Sequence, residues 1–213
     1  MKTKYEIREI DFPTAMDTVI KNHYLHRRAP YSHAYGLYEK DTGKLVGVVN
    51  YGVPASSTLL KGICGESEMH NIYELNRLWV DDSVPKNGES FLVGNSLKLL
   101  DKEIIVSYAD TSQGHTGYVY QATNFIYTGM SAKFYDYVVK GKEHMHRATY
   151  AYSMTVAEMK KEFGEDNVYR VERPRKHRYI YFNADKKRKK ELEKKLKYKV
   201  LPYPKSTGTA TAP

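Results

Sequence analysis

Residues 103–110, EIIVSYAD, form an apolar run that closes on Ser107 and Asp110 and reads as a buried strand. A strand that is apolar on both faces sits in the middle of a sheet and needs helices packed over it, so the run points to a layered α/β domain. The sequence on either side supplies that cover. Upstream, residues 88–102 place Phe91, Leu92, Leu97, Leu99 and Leu100 at helical spacing. Downstream, a short helix is expected from about Gly114 to Ala122, then a strand, FIYTG, at 125–129.

The N-terminal part reads the same way. YEIREID at 5–11 alternates like a strand, and Pro13 opens a helix through about Tyr24, proline being favoured in the first turn. Strands near 35–39 and 44–53 flank a Lys-Asp-Thr-Gly-Lys turn, a hairpin signal. Residues 54–71 read as loop. In IYELNRLWV (72–80), Ile72, Glu74 and Asn76 oppose Tyr73, Leu75 and Arg77, an unusual load of polar groups for a buried strand and so a candidate site. Further on, a helix is expected over 151–163, a strand at YIYF, and a lysine-rich helix over 185–199 with Leu192, Leu196 and Val200 four apart. The expected division is a catalytic domain over 1–183, a basic helical extension over 184–203, and a disordered tail over 204–213.

Composition narrows the class of partner. No apolar run approaches the ~18 residues of a membrane-spanning helix, and MKTKYEIREID lacks the apolar stretch of a signal peptide. The lone Cys64 can form no internal disulfide and no thiolate metal site, so a cytoplasmic setting is expected. The net charge of +9 is one block: residues 170–199 carry 14 Lys or Arg against 4 Asp or Glu, and the remainder carry 20 and 21. Such a block favours nucleic acid, because neutralising phosphates releases counterions. Arg173, Arg175, Lys176 and Arg178 precede an apolar strand, and Lys186, Lys187 and Arg188 begin the last helix; these are the candidate DNA contacts. The alternative is a solvated basic tail.

The element order, strand, helix, hairpin, strand, helix, strand, helix, strand, resembles the acyltransferase fold of the GCN5-related type. Tyr120-Gln-Ala-Thr-Asn124-Phe125 matches a Tyr-x-x-x-Gly-Phe pattern of that superfamily, with Asn in place of Gly. The glycine-rich loop that would bind acetyl-coenzyme A should follow Val80. The sequence there, DDSVPKNGESF, has one glycine and several acids, which would repel a pyrophosphate. Four blocks together, ELNRLWV at 74–80, SYAD at 107–110, GHTGYVYQATNFIYTG at 114–129 and PRKHRY at 174–179, resemble the bacteriophage Mom family of DNA-modifying proteins. That resemblance covers most of residues 35–182. It implies an acyltransferase-like fold without the coenzyme A loop, acting in the host cytoplasm on double-stranded phage DNA. The expected reaction adds a carbamoylmethyl-type group to the exocyclic amine of adenine and blocks host restriction. The donor is left open, iron is implied by the resemblance, and the oligomeric state, a homodimer included, is not fixed by sequence. Two rival readings are a non-catalytic DNA-binding protein on a degenerate scaffold and a coenzyme A-dependent N-acyltransferase.

Chemistry nominates the residues. The adenine amine is a poor nucleophile, so a base must take its proton while an acid serves the leaving side. Asp110, at the carboxyl end of a central strand, is the candidate base. Tyr120 is the candidate acid, and by resemblance the pair falls on functional positions. The competing readings are a turn cap for Asp110 and a core residue for Tyr120. His23, His26, His115, His144 and His146 are the plausible metal ligands. His23 and Ser107 are added to the catalytic set. Tyr51, Glu74, Asn76, Arg77, Ser96, His115 and Tyr118 are the candidate substrate contacts, with Tyr51 chosen as the ring that stacks on an extruded base.

Overall fold

The computed structural model describes residues 1–143, 145 and 147–205. Strand β1 (Tyr5–Glu9) is followed by helix α1 (Phe12–Asn22), which Asp11 caps by accepting from Thr14 N at 2.9 Å. Strands β2 (His33–Glu39) and β3 (Leu45–Gly52) form the expected hairpin. The stretch read as loop contains a helix, α2 (Ser57–Cys64), capped by Ser56. Its apolar face, with Ile63 and Cys64 buried, is only two turns long, and Gly62 and Gly65 hide it from a periodicity argument. Then come β4 (Ile72–Val80), α3 (Gly88–Ser96), β5 (Ile104–Asp110), α4 (Tyr118–Ala122) and β6 (Ile126–Met130). The short α4 starts four residues later than expected because Gly114 and Gly117 both take left-handed φ (+67° and +80°) and break the helix there.

Two strands escaped the sequence reading. Strand β7 (Phe134–Val139) pairs antiparallel with β8 (Val168–Arg173), and between them lie α5 (Arg147–Tyr150) and α6 (Val156–Phe163). Helix α6 begins at a full capping box, Thr155 with Glu158, five residues later than expected. Strand β9 (Lys176–Phe182) and helix α7 (Lys186–Lys195) complete the chain. The structure divides into two compact units, Ser131–Arg175 and the remainder, where the sequence reading drew one domain over 1–183. The smaller unit has its own core of Val139, Ala151, Met159 and Val168.

The larger unit is a seven-stranded mixed sheet in the order β1-β2-β3-β4-β5-β9-β6, so the expected α/β class, a mixed sheet flanked by helices, is what the chain adopts. The run 103–110 does sit centrally, with Ile104, Ile105 and Val106 fully buried. One face carries Ile72, Ile104, Val106, Ile180 and Phe182 under α2 and α7, and the other carries Tyr51, Leu75, Ile105 and Tyr179 with Leu92 and Leu97 of the α3 region. The segment expected to be an appendage is part of this core. Leu192 of α7 is fully buried, and Tyr203 donates to the Phe125 carbonyl at 2.7 Å. The tail, from residue 206 onward, lies outside the described residues.

One pairing places the site. Strands β4 and β5 are parallel and paired only over Ile72–Leu75 and Ile104–Ser107. Ser107 closes the last rung by donating its hydroxyl to the Leu75 carbonyl at 2.8 Å. Beyond that rung each strand continues without the other as partner, leaving an opening between them. Opposite β3, strand β4 carries a bulge: Tyr51 pairs Leu75 and Asn50 pairs Arg77, with Asn76 as the extra residue.

Candidate active site

A cavity of about 620 Å³ fills the opening between β4 and β5. Its walls are Glu74 to Val80, Glu89, Tyr108, Ala109, residues 114–120, Lys176, and His23, Tyr24, Leu25 and Arg27 just after α1. The bulge determines what faces it. Simple alternation sets Arg77 opposite Glu74, whereas the extra residue Asn76 turns Arg77 onto the Glu74 side, beneath the α1–β2 loop.

Arg77 and Asn76, read as substrate contacts, each donate to a carbonyl of that loop. Arg77 is buried and donates to the carbonyls of Asn76 (2.6 Å) and Arg28 (3.1 Å). Asn76 donates to Pro30 O at 2.9 Å, and Asn50 donates to the same carbonyl and to Asn76 Oδ1. The backbone of Pro30 passes so close that a Cβ on Gly52 would stand 2.3 Å from its oxygen. These contacts hold His23 and Tyr24 at the cavity.

His23 is buried, stacked on Tyr24 with ring centroids 4.4 Å apart, and accepts from Leu25 N at Nδ1. Burial, then the nearby Arg77 guanidinium, push its ionisation down to about 4, so at neutral pH it is an uncharged imidazole. An unfolded histidine titrates near 6.5. Between those values the unfolded chain binds the extra proton, so this group's contribution is complete above pH 6.5 and lost as pH falls towards 4. His23→Asn, which keeps an acceptor near Nδ1, should flatten the stability loss between pH 7 and 4.5 by on the order of 2 kcal/mol. Urea melts of both proteins at the two pH values measure it; parallel losses would refute it.

Asp110 is buried, but it is not a wall of the cavity. Its Oδ2 pairs with Lys176 Nζ at 2.8 Å and accepts from Tyr24 at 3.5 Å. Its Oδ1 accepts from Ser112 N and Oγ at 3.0 and 2.7 Å, which caps the turn after β5. Burial raises its ionisation, but Lys176 and Ser112 outweigh that and hold the carboxyl below the usual range. The residue expected to be a free base is thus an ionised lock between β5, β9 and Tyr24. Tyr120 does line the cavity. Its hydroxyl shares a hydrogen bond with Ser107 and is pushed up to about 12, chiefly by burial, so it keeps its proton at neutral pH. Asn124, standing where the superfamily pattern has glycine, takes φ +62°, which asparagine tolerates better than other non-glycine residues.

Other candidates fall elsewhere. Tyr51 is fully buried on the α3 face, its hydroxyl donating at 2.8 Å to Ser96, whose own proton goes to Val93 O. Neither can touch a substrate, and the ring chosen for stacking is a core ring. The exposed aromatic rings at the cavity are Tyr118 (63% exposed) and Tyr24 (40%), with His115 edge-on to Tyr24 at 5.9 Å. The sequence reading had His115 and Tyr118 but missed Tyr24 and Trp79, although Tyr24 adjoins His23 in the chain.

The start of α3 is a poor seat for a pyrophosphate. Asn87 precedes it in a left-handed conformation, Glu89 occupies the first turn and lines the cavity, and Asp81 is bound to Ser83. A coenzyme A tail held there in the usual way would meet negative charge. Among the described residues no group of three or more His, Cys, Asp or Glu side chains could hold a metal ion, so the iron implied by resemblance has no ligand set there. His26 Nδ1 is bonded to Ile20 O, and His144 and His146 lie outside the described residues.

The basic block is split between the units and largely occupied. Arg173 grips both oxygens of Asp136 (2.8 and 2.6 Å), and Arg175 donates to Ser131 O at 2.7 Å. Arg178 lies 3.4 Å over the Tyr198 ring and bonds Thr128. Arg188 bridges the buried Glu68 and Glu103, at 2.6 and 2.9 Å. Lys186 and Lys187 are exposed.

The chain is similar to known proteins at two levels. In fold it matches an acetyltransferase of the GNAT family from Bacillus cereus, with TM-score 0.45 and 11% identity over 85% of this chain and 99% of that one. It likewise matches a spermidine N-acetyltransferase mutant from Vibrio cholerae, with TM-score 0.47 and 8% identity over 85% and 95%. In sequence it is 32% identical over 174 residues to the methylcarbamoylase mom of Escherichia phage Mu, covering 76% of this chain and 68% of that protein. The model of the Mom protein family matches residues 4–205. With nearly its whole length matched and an enzyme among its relatives, the chain is a transferase belonging to the Mom protein family.

Proposed function

We propose that this protein transfers a carbamoylmethyl-type group to the exocyclic amine of adenine in double-stranded DNA, protecting a phage genome from host restriction in the host cytoplasm. The observation that carries the reading is the kinship with the phage Mu methylcarbamoylase, since the site residues lie within the matched length. The cavity supports it. A base in duplex DNA must be extruded and stacked before its amine can react. Tyr118 and Tyr24 offer exposed rings at the cavity for that stacking, and the protonated Tyr120 stands inside it as a donor to the leaving side. The buried acids and bases would act by moving one proton from amine to leaving group.

The test is nucleoside analysis of plasmid DNA from cells expressing the protein. A modified deoxyadenosine of the expected added mass is the predicted result. The carbamoylmethyl and methylcarbamoyl groups have the same atomic composition, so the fragmentation pattern, not the intact mass, must distinguish them. Unmodified deoxyadenosine with folded protein present would sink the reading and favour a non-catalytic DNA-binding protein.

A further inference from the structure

We propose that Glu74 is the catalytic base of this site, the group that accepts the proton of the attacking amine. The assignment rests on the reading of function above and goes beyond it, because the sequence pointed to Asp110 for this role. Two carboxylates line the cavity, Glu74 and Glu89. Glu89 is exposed at the start of α3. Glu74 is the inner one, and among the described residues it has no hydrogen-bond or ion-pair partner. Glu74 is half-buried, and a carboxylate drawn out of water without partners is costly and survives where function needs it.

Its surroundings suit proton transfer. Burial raises its ionisation, with Arg77 and Lys176 opposing from β4 and β9, so the group is a better proton acceptor than a solvated carboxylate. Its charge is felt at the hydroxyls of Tyr108 and Tyr120, which places acid and base around one space. The competing bases are spent. Asp110 is held ionised by Lys176 and Ser112, and the accepting nitrogen of His23 is bonded to Leu25 N. The bulge at Asn76 fixes the geometry, keeping Arg77 on the Glu74 side without letting the two residues pair.

The step balances as follows. The amine nitrogen attacks the electrophilic carbon of an activated donor, and its proton passes to a Glu74 oxygen as the N–C bond forms. The bond from that carbon to the leaving group breaks with its electron pair on the leaving group, which takes the Tyr120 proton. Glu74 then returns its proton to Tyr120 through solvent, so the net transfer is one proton from amine to leaving group.

The test compares wild type, Glu74→Gln and Glu74→Asp for modified deoxyadenosine in plasmid DNA per unit of soluble protein, with thermal melting of each. Glu74→Gln should lose about a hundredfold or more of the modification with an unchanged or raised melting temperature, because it removes a half-buried, unpaired charge. A residue there for stability would lower it. Glu74→Asp keeps the carboxylate, set back by one methylene, and should retain more modification than Glu74→Gln. Near-wild-type modification by Glu74→Gln, or the reverse order of the two variants, overturns the assignment alone. Unmodified DNA from the wild type overturns the functional reading and the assignment with it.

Discussion

Replacing Tyr120 by Phe should abolish DNA modification in a protein that still folds. The ring packs tilted against Phe125 and Tyr179, with centroids 5.4 and 5.3 Å away, and phenylalanine preserves both contacts. What goes is one hydroxyl, whose partner Ser107 still donates to the Leu75 carbonyl. The rung at the mouth of the strand opening therefore survives. Chemically the loss is larger. With its ionisation pushed up to about 12, Tyr120 is protonated throughout the physiological range and can give its proton only when a departing group demands it. Removing such a donor costs roughly a hundredfold or more. Nucleoside analysis per unit of soluble protein, with near-ultraviolet circular dichroism as the check on packing, measures it. Near-normal modification by Tyr120→Phe would move the acid to Tyr108, a half-buried phenol that also lines the cavity.

The contrast between Tyr120 and Tyr51 shows what sequence can and cannot convey about such a site. The central strand, the hairpin and the helix over 88–96 announce themselves through apolar periodicity, which depends only on residue order. Strands β7 and β8 do not, because nearly every side chain of theirs is at least partly exposed and no alternation separates one face from the other. Tyr120 was legible through the Tyr-x-x-x-Asn-Phe pattern over 120–125 and the family resemblance. Tyr51 was misplaced because a tyrosine in a buried strand looks the same whether its ring faces a helix or a cavity. What the sequence hid about Arg77 was its face. A single extra residue at Asn76 reverses the face of everything after it, and no composition signal marks a bulge. Asp110 was legible as important but not in its role, since the lysine that holds it lies 66 residues away on β9.

Neutralising four lysines of α7 should weaken duplex binding far more than removing the arginines that precede β9. Lys186, Lys187, Lys190 and Lys194 are exposed and have no ion pair among the described residues. They project from a helix pinned by the buried Leu192 and by the grip of Arg188 and Lys195 on Glu68. The stems are flexible but the helix is not, so the charges form a fixed row that a phosphate backbone can meet. By contrast, Arg173, Arg175 and Arg178 already hold Asp136, the Ser131 carbonyl and Thr128, and to reach a phosphate each would have to give up those bonds. Each phosphate contact contributes about 0.9 to the slope of log K against log salt. Lys→Gln at all four positions should therefore flatten the slope by roughly three to four units, with an affinity loss on the order of a hundredfold at low salt. The loss should be the same for every sequence, because phosphate contacts carry no base information. Arg→Gln at 173, 175 and 178 should leave the slope nearly intact and lower the melting temperature instead. Fluorescence anisotropy with two unrelated duplexes over a salt series separates the outcomes. An unchanged slope in the lysine variant would mean that α7 is only a solvated face, and that the duplex reaches the cavity across another surface.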